Sequence, residues 1–213
     1  MKASVTTCCS KKICIGCNYA YCFKKKEGVI VAIDDITCPF CRHPKPSSEE
    51  ETEKNIMKRV EANNQAALLQ MGMHLNKRGE YKSAVKYYKK AAEFGDADAH
   101  YNLSAMYKNG EGVEKDDKKK VYHLEEAAIG GHPDARAMLG AIEGHNGNVE
   151  RSVKHFIIGA KLGHDFSLEM VKLRYQNGSV SKEDFASALR AHQAAVDATK
   201  STQRDEGEAA QIH

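Results

Sequence analysis

One short word returns three times along this chain. It reads Ala91-Ala92-Glu93-Phe94-Gly95, then Ala127-Ala128-Ile129-Gly130-Gly131, and in softer form Gly159-Ala160-Lys161-Leu162-Gly163, at offsets of 36 and 32 residues. Each copy is followed by a polar helix-start word: Asp96-Ala97-Asp98-Ala99, His132-Pro133-Asp134-Ala135 and His164-Asp165-Phe166-Ser167. A separate column runs through Met71-Gly72, Leu103-Ser104 and Leu139-Gly140. Independent columns that return together at this period are the signature of a helical solenoid.

Physical chemistry gives each column a task. Small side chains at Ala91, Ala92, Ala127, Ala128 and Ala160 let paired helices approach closely. The glycines that follow suit the left-handed residue ending a helix. Asp98 and Asp134 are expected at the next helix start, accepting backbone N–H bonds and facing the positive dipole end. Tyr81, Val85, Tyr88 and Ala92 recur at helical spacing and predict one buried stripe. No single repeat can bury its apolar face alone, so the stack is the folding unit.

These columns resemble the Sel1-like repeat, a relative of the tetratricopeptide repeat. The best copy spans residues 97–131, with Ala99, Leu103, Tyr107, Gly110-Glu111-Gly112-Val113, Asp116, Lys119 and Ala127-Ala128 at the family's positions. Residues 64–95 form a shorter, more tetratricopeptide-like copy, with Gly79, Tyr81, Ala84, Tyr88 and Ala91. Residues 133–163 keep Leu139-Gly140 and replace the Gly-Val loop by Asn146-Gly147-Asn148, and a decayed fourth copy carries Tyr175, Gly178, Phe185 and Ala188. The resemblance implies a mainly α helical-repeat solenoid, residues 64–180, whose groove takes protein partners.

The ends of such a stack need caps. Pro44 and Pro46 stiffen a linker, and Ser48-Glu49-Glu50-Glu51 reads as a capping box opening a helix through Val60, so residues 44–63 are linker and capping helix. Ser181-Lys182-Glu183-Asp184 opens a C-terminal capping helix, 181–200, with Phe185, Leu189, His192 and Val196 on one face. The polar tail 201–213 is expected to fray.

The first 43 residues obey different physics. All seven cysteines lie within the first 41 residues. Cys14 and Cys17 form one C-x2-C pair and Cys38 and Cys41 another, with 20 residues between them. That spacing is a zinc pattern, because two thiolates separated by two residues reach one ion from a tight knuckle and two pairs complete a tetrahedron. No signal peptide or long apolar run is seen, so the chain reads as intracellular, cytoplasmic or nuclear, without a membrane span. Reducing compartments favour zinc over disulfides, and zinc would supply about 10 kcal/mol or more of apparent folding energy to so small a module.

The same segment resembles the later half of a RING finger. That family uses C-x-H-x2-C-x2-C, then a stretch, then C-P-x-C. Cys9, Cys14, Cys17, Cys38 and Cys41 fall on ligand positions, Lys11 occupies the histidine position, and Cys8 is the substitute for it. Seven residues precede Cys8, where the family's first ligand pair should lie, so the finger is expected to be N-terminally incomplete or to hold one zinc. Two ligand sets stay open. In a cross-brace, Cys8, Cys9, Cys38 and Cys41 share one ion, and Cys14 and Cys17 share another with Cys22 or His43. In a simple ribbon, Cys14, Cys17, Cys38 and Cys41 hold a single ion. In RING proteins the residue at the Pro39 position touches a ubiquitin-conjugating enzyme, and an arginine at the Arg42 position orients ubiquitin.

Charge separates the two parts without naming a ligand. Residues 1–43 carry seven Lys/Arg and three Asp/Glu, and residues 44–213 carry 25 and 26. Lys24, Lys25 and Lys26, beside Tyr19, Tyr21 and Phe23, read as a solvated loop rather than a nucleic-acid surface. No glycine-rich phosphate loop, H-E-x-x-H or nucleophile elbow occurs. Glu125 and Glu126 are neighbours on a helix and point to different faces, a poor acid/base pair. Among the ten histidines, His100, His132 and His164 recur near helix starts and His123 and His155 within second helices, so they are read as repeat positions. Two function classes follow: a non-catalytic protein-interaction scaffold with a zinc-binding finger, or alternatively a RING-type ubiquitin ligase whose repeats recruit substrate.

Overall fold

The structure is a computed structural model that describes residues 46–198 in full and, before them, the backbone of four short strands. Strands β1 (Ala3–Val5) and β2 (Lys12–Cys14) pair antiparallel, with Ala3 opposite Cys14. Strands β3 (Phe23–Lys26) and β4 (Val29–Ala32) do the same, with Phe23 opposite Ala32. The lysine run is therefore a strand and not a loop. The β-branched run Val29-Ile30-Val31 favours extended backbone and provides the pairing edge.

Helices follow at near-constant length: α1 (Glu49–Glu61), α2 (Gln65–Lys77), α3 (Tyr81–Glu93), α4 (Ala97–Asn109), α5 (Asp117–Ile129), α6 (Pro133–His145) and α7 (Val149–Lys161) each have 13 residues. They are completed by α8 (Asp165–Gln176) and α9 (Lys182–Asp197). The predicted capping box opens α1, with a one-residue shift. Ser48 Oγ accepts the Glu51 N–H at 3.1 Å, while the Glu51 carboxylate accepts the N–H of Ser47, at 2.8 Å.

The described residues fall into two compact units, one through His74 and one from Leu75 to Ala198. In the second, each helix packs on the next: α3 on α4, α4 on α5, α5 on α6, α6 on α7 and α7 on α8, with α9 against α7 and α8. This is the expected mainly α helical-repeat solenoid. Its core lies between successive pairs. Leu124, Ala127, Ala128, Ala135 and Leu139 form one cluster. Val153, Phe156, Ala160, Val171, Val180 and Ala188 form another. Gly95, Gly131 and Gly163 all take positive φ, between 76° and 84°, as the repeated word requires.

Four expectations are corrected by packing. On α3 the buried stripe is Ala84, Val85, Tyr88 and Ala91, whereas Tyr81 is 38% exposed and Ala92 only half-buried. The helix caps are Asp96, His132 and His164, and Asp98 and Asp134 lie inside the first turn. His100 is thus one turn past its cap and out of register with His132 and His164. On α9 the buried residues are Ala188 and His192, while Leu189 is 45% exposed.

His100 instead is buried and pairs with the half-buried His123. Its Nε2 lies 3.2 Å from the Ala92 carbonyl and its Nδ1 lies 3.0 Å from Nδ1 of His123. A carbonyl only accepts, so His100 carries its proton on Nε2 and accepts from His123 through Nδ1. The His123 ring also stacks on Tyr107, at 5.5 Å and 10°. Burial above all, then the nearby His100, Lys89 and Lys119, pushes His123 down to about 4. Burial likewise lowers His155, assisted by Arg136. A histidine depressed below its unfolded value near 6.5 binds fewer protons folded than unfolded. Stability is therefore whole above about pH 6.5, declines as pH falls, and the decline ends near pH 4. For a half-buried ring, solvent screening reduces the His123 share to about 1–2 kcal/mol. Urea unfolding at stepped pH should show this slope, and His123→Gln, which keeps a donor but does not titrate, should flatten it. An unchanged slope in that variant would remove His123 as its cause.

Candidate functional site

Alternate helices α4, α6 and α8 share one surface. On α6, Ala135 and Leu139 enter the core, and Asp134, Met138 and Ala141, spaced by four and three residues, form the stripe beside them, with Met138 still packed partly against that core. Tyr101 approaches from α4, and Phe166 from the first turn of α8. Together with Ala137 and His164 these residues line a cavity of about 270 Å3. Phe166 is 53% exposed yet held edge-to-face against the buried Phe156, at 6.1 Å and 77°.

The histidine caps fix this surface. His164 Nδ1 accepts the Ser167 N–H at 3.2 Å and lies 2.8 Å from Ser167 Oγ. The cap uses the Nδ1 lone pair, so the proton sits on Nε2, which donates toward Asp134 Oδ1 at 3.3 Å. His132 repeats the pattern. Its Nδ1 accepts the Ala135 N–H at 3.4 Å, its Nε2 lies 3.6 Å from Asp98 Oδ1, and its ring stacks on Tyr101 at 4.2 Å and 15°. His192 continues the series from α9, with Nε2 donating to Asp165 Oδ1 at 3.0 Å. The first turns of α4 and α6 are thereby tied to the capping histidine of the next repeat, and that of α8 to His192 on α9. Burial first, and the Asp134 charge second, raise the Tyr101 phenol.

A second cleft lies on α7 and the start of α9, lined by Val149, Val153, Ile157, Glu150, Lys154 and Asp184 among others. Its Lys154 and Glu150 already pair with each other, at 2.5 Å. It involves only the last repeats, whereas the first surface joins three successive ones.

The sequence-derived metal and partner residues are not tested by this geometry. Cys8, Cys9, Cys17, Cys38, Pro39, Cys41 and Arg42 lie outside the described residues, and Cys14 is described only as the last backbone position of β2. Among the described residues no three His, Cys, Asp or Glu side chains are grouped to hold a metal ion. No helix among them is long and apolar enough to cross a membrane. The groove residues escaped the sequence reading, which followed the buried columns. They were findable as the stripe flanking those columns: Asp98, Asn102 and Ala105 align with Asp134, Met138 and Ala141, and with Phe166, Met170 and Leu173.

Comparison with known proteins agrees with the fold. Residues 61–96, 97–132 and 133–164 match the Sel1 repeat in three successive copies. A protein of the fission yeast Schizosaccharomyces pombe named chitin synthase regulatory factor 4 is 27% identical over 135 residues, which is 60% of this chain and 21% of that protein. The chain thus spans about a fifth of that curated relative's length. A Sel1 repeat protein from Oxalobacter formigenes superposes with a TM-score of 0.58 at 25% identity, over 72% of this chain and 66% of that one. A protective antigen present in uropathogenic Escherichia coli strains, with 21% identity and a TM-score of 0.55 over 79% of this chain and 36% of that one, shares the fold.

Proposed function

We propose that this chain, which carries Sel1 repeats, is a protein-interaction scaffold whose groove across α4, α6 and α8 grips a segment of a partner protein. The observation that carries the reading is that groove: three successive repeats present Tyr101, Met138, Ala141 and Phe166 to one concavity, bounded by histidine-tied helix starts. Stacked repeats use such extended surfaces for recognition. The relative named as a chitin synthase regulatory factor is compatible with the same use. Ala141 is exposed in the groove and absent from the core, so Ala141→Arg should fill the groove without unfolding the stack. Affinity capture from source cells should retain a set of proteins on the natural chain and lose it on Ala141→Arg. Retention of the same set would overturn the groove as the docking surface.

Zinc belongs to this proposal at the cysteine-rich N-terminal segment, supported by sequence alone. Cys8, Cys9, Cys14, Cys17, Cys38 and Cys41 are the proposed ligands, in either of the two sets given above. Native mass spectrometry of protein prepared without chelators should show one or two zinc ions per chain, and none would end the proposal. The run Cys38-Pro39-Phe40-Cys41-Arg42 favours a second reading, a RING-type ubiquitin ligase whose repeats recruit substrate. That reading requires two zincs, and loss of autoubiquitination on Arg42→Ala with zinc content unchanged.

A further inference from the structure

We propose that the groove cavity between α4, α6 and α8 is a receptor for one arginine side chain of the partner segment, an inference that rests on the scaffold reading above. Size is the first argument. At about 270 Å3 the cavity is below the ~300–1,000 Å3 of sites that enclose a whole small molecule, and it suits one long side chain.

Charge is the second. Among the described residues lining it, Asp134 is the one carboxylate, and there is no lysine or arginine. The Asp134 side chain is 51% exposed. Its Oδ1 faces the Nε2 of His164, whereas Oδ2 lies 3.8 Å from His132 Nδ1, beyond hydrogen-bond reach. His164 adds no opposing charge while it caps α8, because the cap needs the unprotonated Nδ1. An anionic side chain would face Asp134 with no compensating cation. An apolar one would desolvate the carboxylate while giving it no donor beyond His164 Nε2 on Oδ1.

Wall chemistry is the third. Tyr101, Met138 and Phe166 supply two rings and a thioether beside the carboxylate. The outer ring of this set is rigid, since Phe156 braces Phe166 and His132 covers one face of Tyr101. A planar guanidinium stacks on such rings while donating to a carboxylate, and its weaker hydration makes it cheaper to bury than the compact ammonium of lysine. The Tyr101 phenol, raised first by burial and second by the negative charge of Asp134, agrees with this placement on the same cavity.

The test uses the full chain and a phage-displayed random peptide library, followed by calorimetry on synthetic copies of the enriched peptides. Enriched peptides should share an arginine. Replacing it by alanine, or making Asp134→Asn, should weaken binding about 10- to 100-fold, the range for a hydrogen bond to a charged group. Arginine-to-lysine exchange should cost part of that. Asp117→Asn, on α5 and outside the cavity, should leave affinity within about twofold and serves as the control. Enriched peptides without a basic residue that still lose binding on Phe166→Ala would overturn the arginine assignment and leave the scaffold reading standing. Peptides indifferent to both Asp134→Asn and Phe166→Ala, or no enrichment at all, would overturn both.

Discussion

Gly112→Ala should destabilise the repeat unit by about 2–5 kcal/mol, out of proportion to the single methyl group it adds. Gly112 has φ of 71°, where an L side chain costs about 1–2 kcal/mol. A Cβ placed there would lie 2.5 Å from both the carbonyl carbon and oxygen of Tyr81, and 2.8 Å from the nitrogen of Lys82. These are backbone atoms and cannot swing aside, so the loop between α4 and α5 must lift off the start of α3. Displacements of this kind add about 1–3 kcal/mol. Gly147 provides the control: its φ is 82°, yet nothing lies within 4 Å of the place a methyl group would take on it. Gly147→Ala should therefore cost the conformational share alone. Urea unfolding followed by far-UV circular dichroism measures both variants. Equal losses would show that the contact with Tyr81 carries no weight.

Phe156→Ala should cost about 3–5 kcal/mol, the range for removing a buried phenyl ring. Phe156 is 2% exposed on α7 and joins three helices. Its ring carbons lie 2.9–3.1 Å from where a Cβ on Gly140 of α6 would stand, and its edge meets Phe166 of α8. Gly140→Ala alone should therefore cost about 1–3 kcal/mol by overpacking. Combined with Phe156→Leu it should cost less than the sum, with a coupling of at least about 1 kcal/mol. Additive losses would mean that ring and glycine do not share one space. Because Phe156 braces Phe166, its truncation should also loosen the groove, so partner binding should weaken before the stack melts.

Much of this was legible in the sequence, for a reason that can be named. A solenoid repeats one local solution, so each packing rule is written several times at a fixed offset. Leu103, Leu139, Ala127 and Ala160 were readable as core, and Gly95, Gly131 and Gly163 as helix ends, because every copy repeats the constraint. Helix phase was less legible. The spacing of Tyr81, Val85, Tyr88 and Ala92 fits a helix as well as the true stripe does, and only the direction from which a neighbour arrives separates them. Capping was misplaced by two residues in α4 because both Asp96 and Asp98 suit a helix start, and the pattern of acidic residues does not say which one leaves helical backbone. Histidine caps were missed for the same reason: His132 and His164 act through a lone pair whose partner is set by the fold.

The sequence by itself determined the repeat, its period and the class of residue at each buried column, because these follow from local helix geometry and from the need to bury one face per helix. It also carries the cysteine spacing on which the zinc proposal rests. Tertiary structure alone decided which surface remains after the columns are buried, and that surface is where Tyr101, Asp134, Met138 and Phe166 meet. These residues come from three helices separated by about two repeats, and their meeting depends on the angle at which each pair stacks on the next. That angle depends on close approaches such as Gly112 on Tyr81 and Gly140 on Phe156: the glycines recur in the sequence pattern, but the distant residues they meet are not written in it.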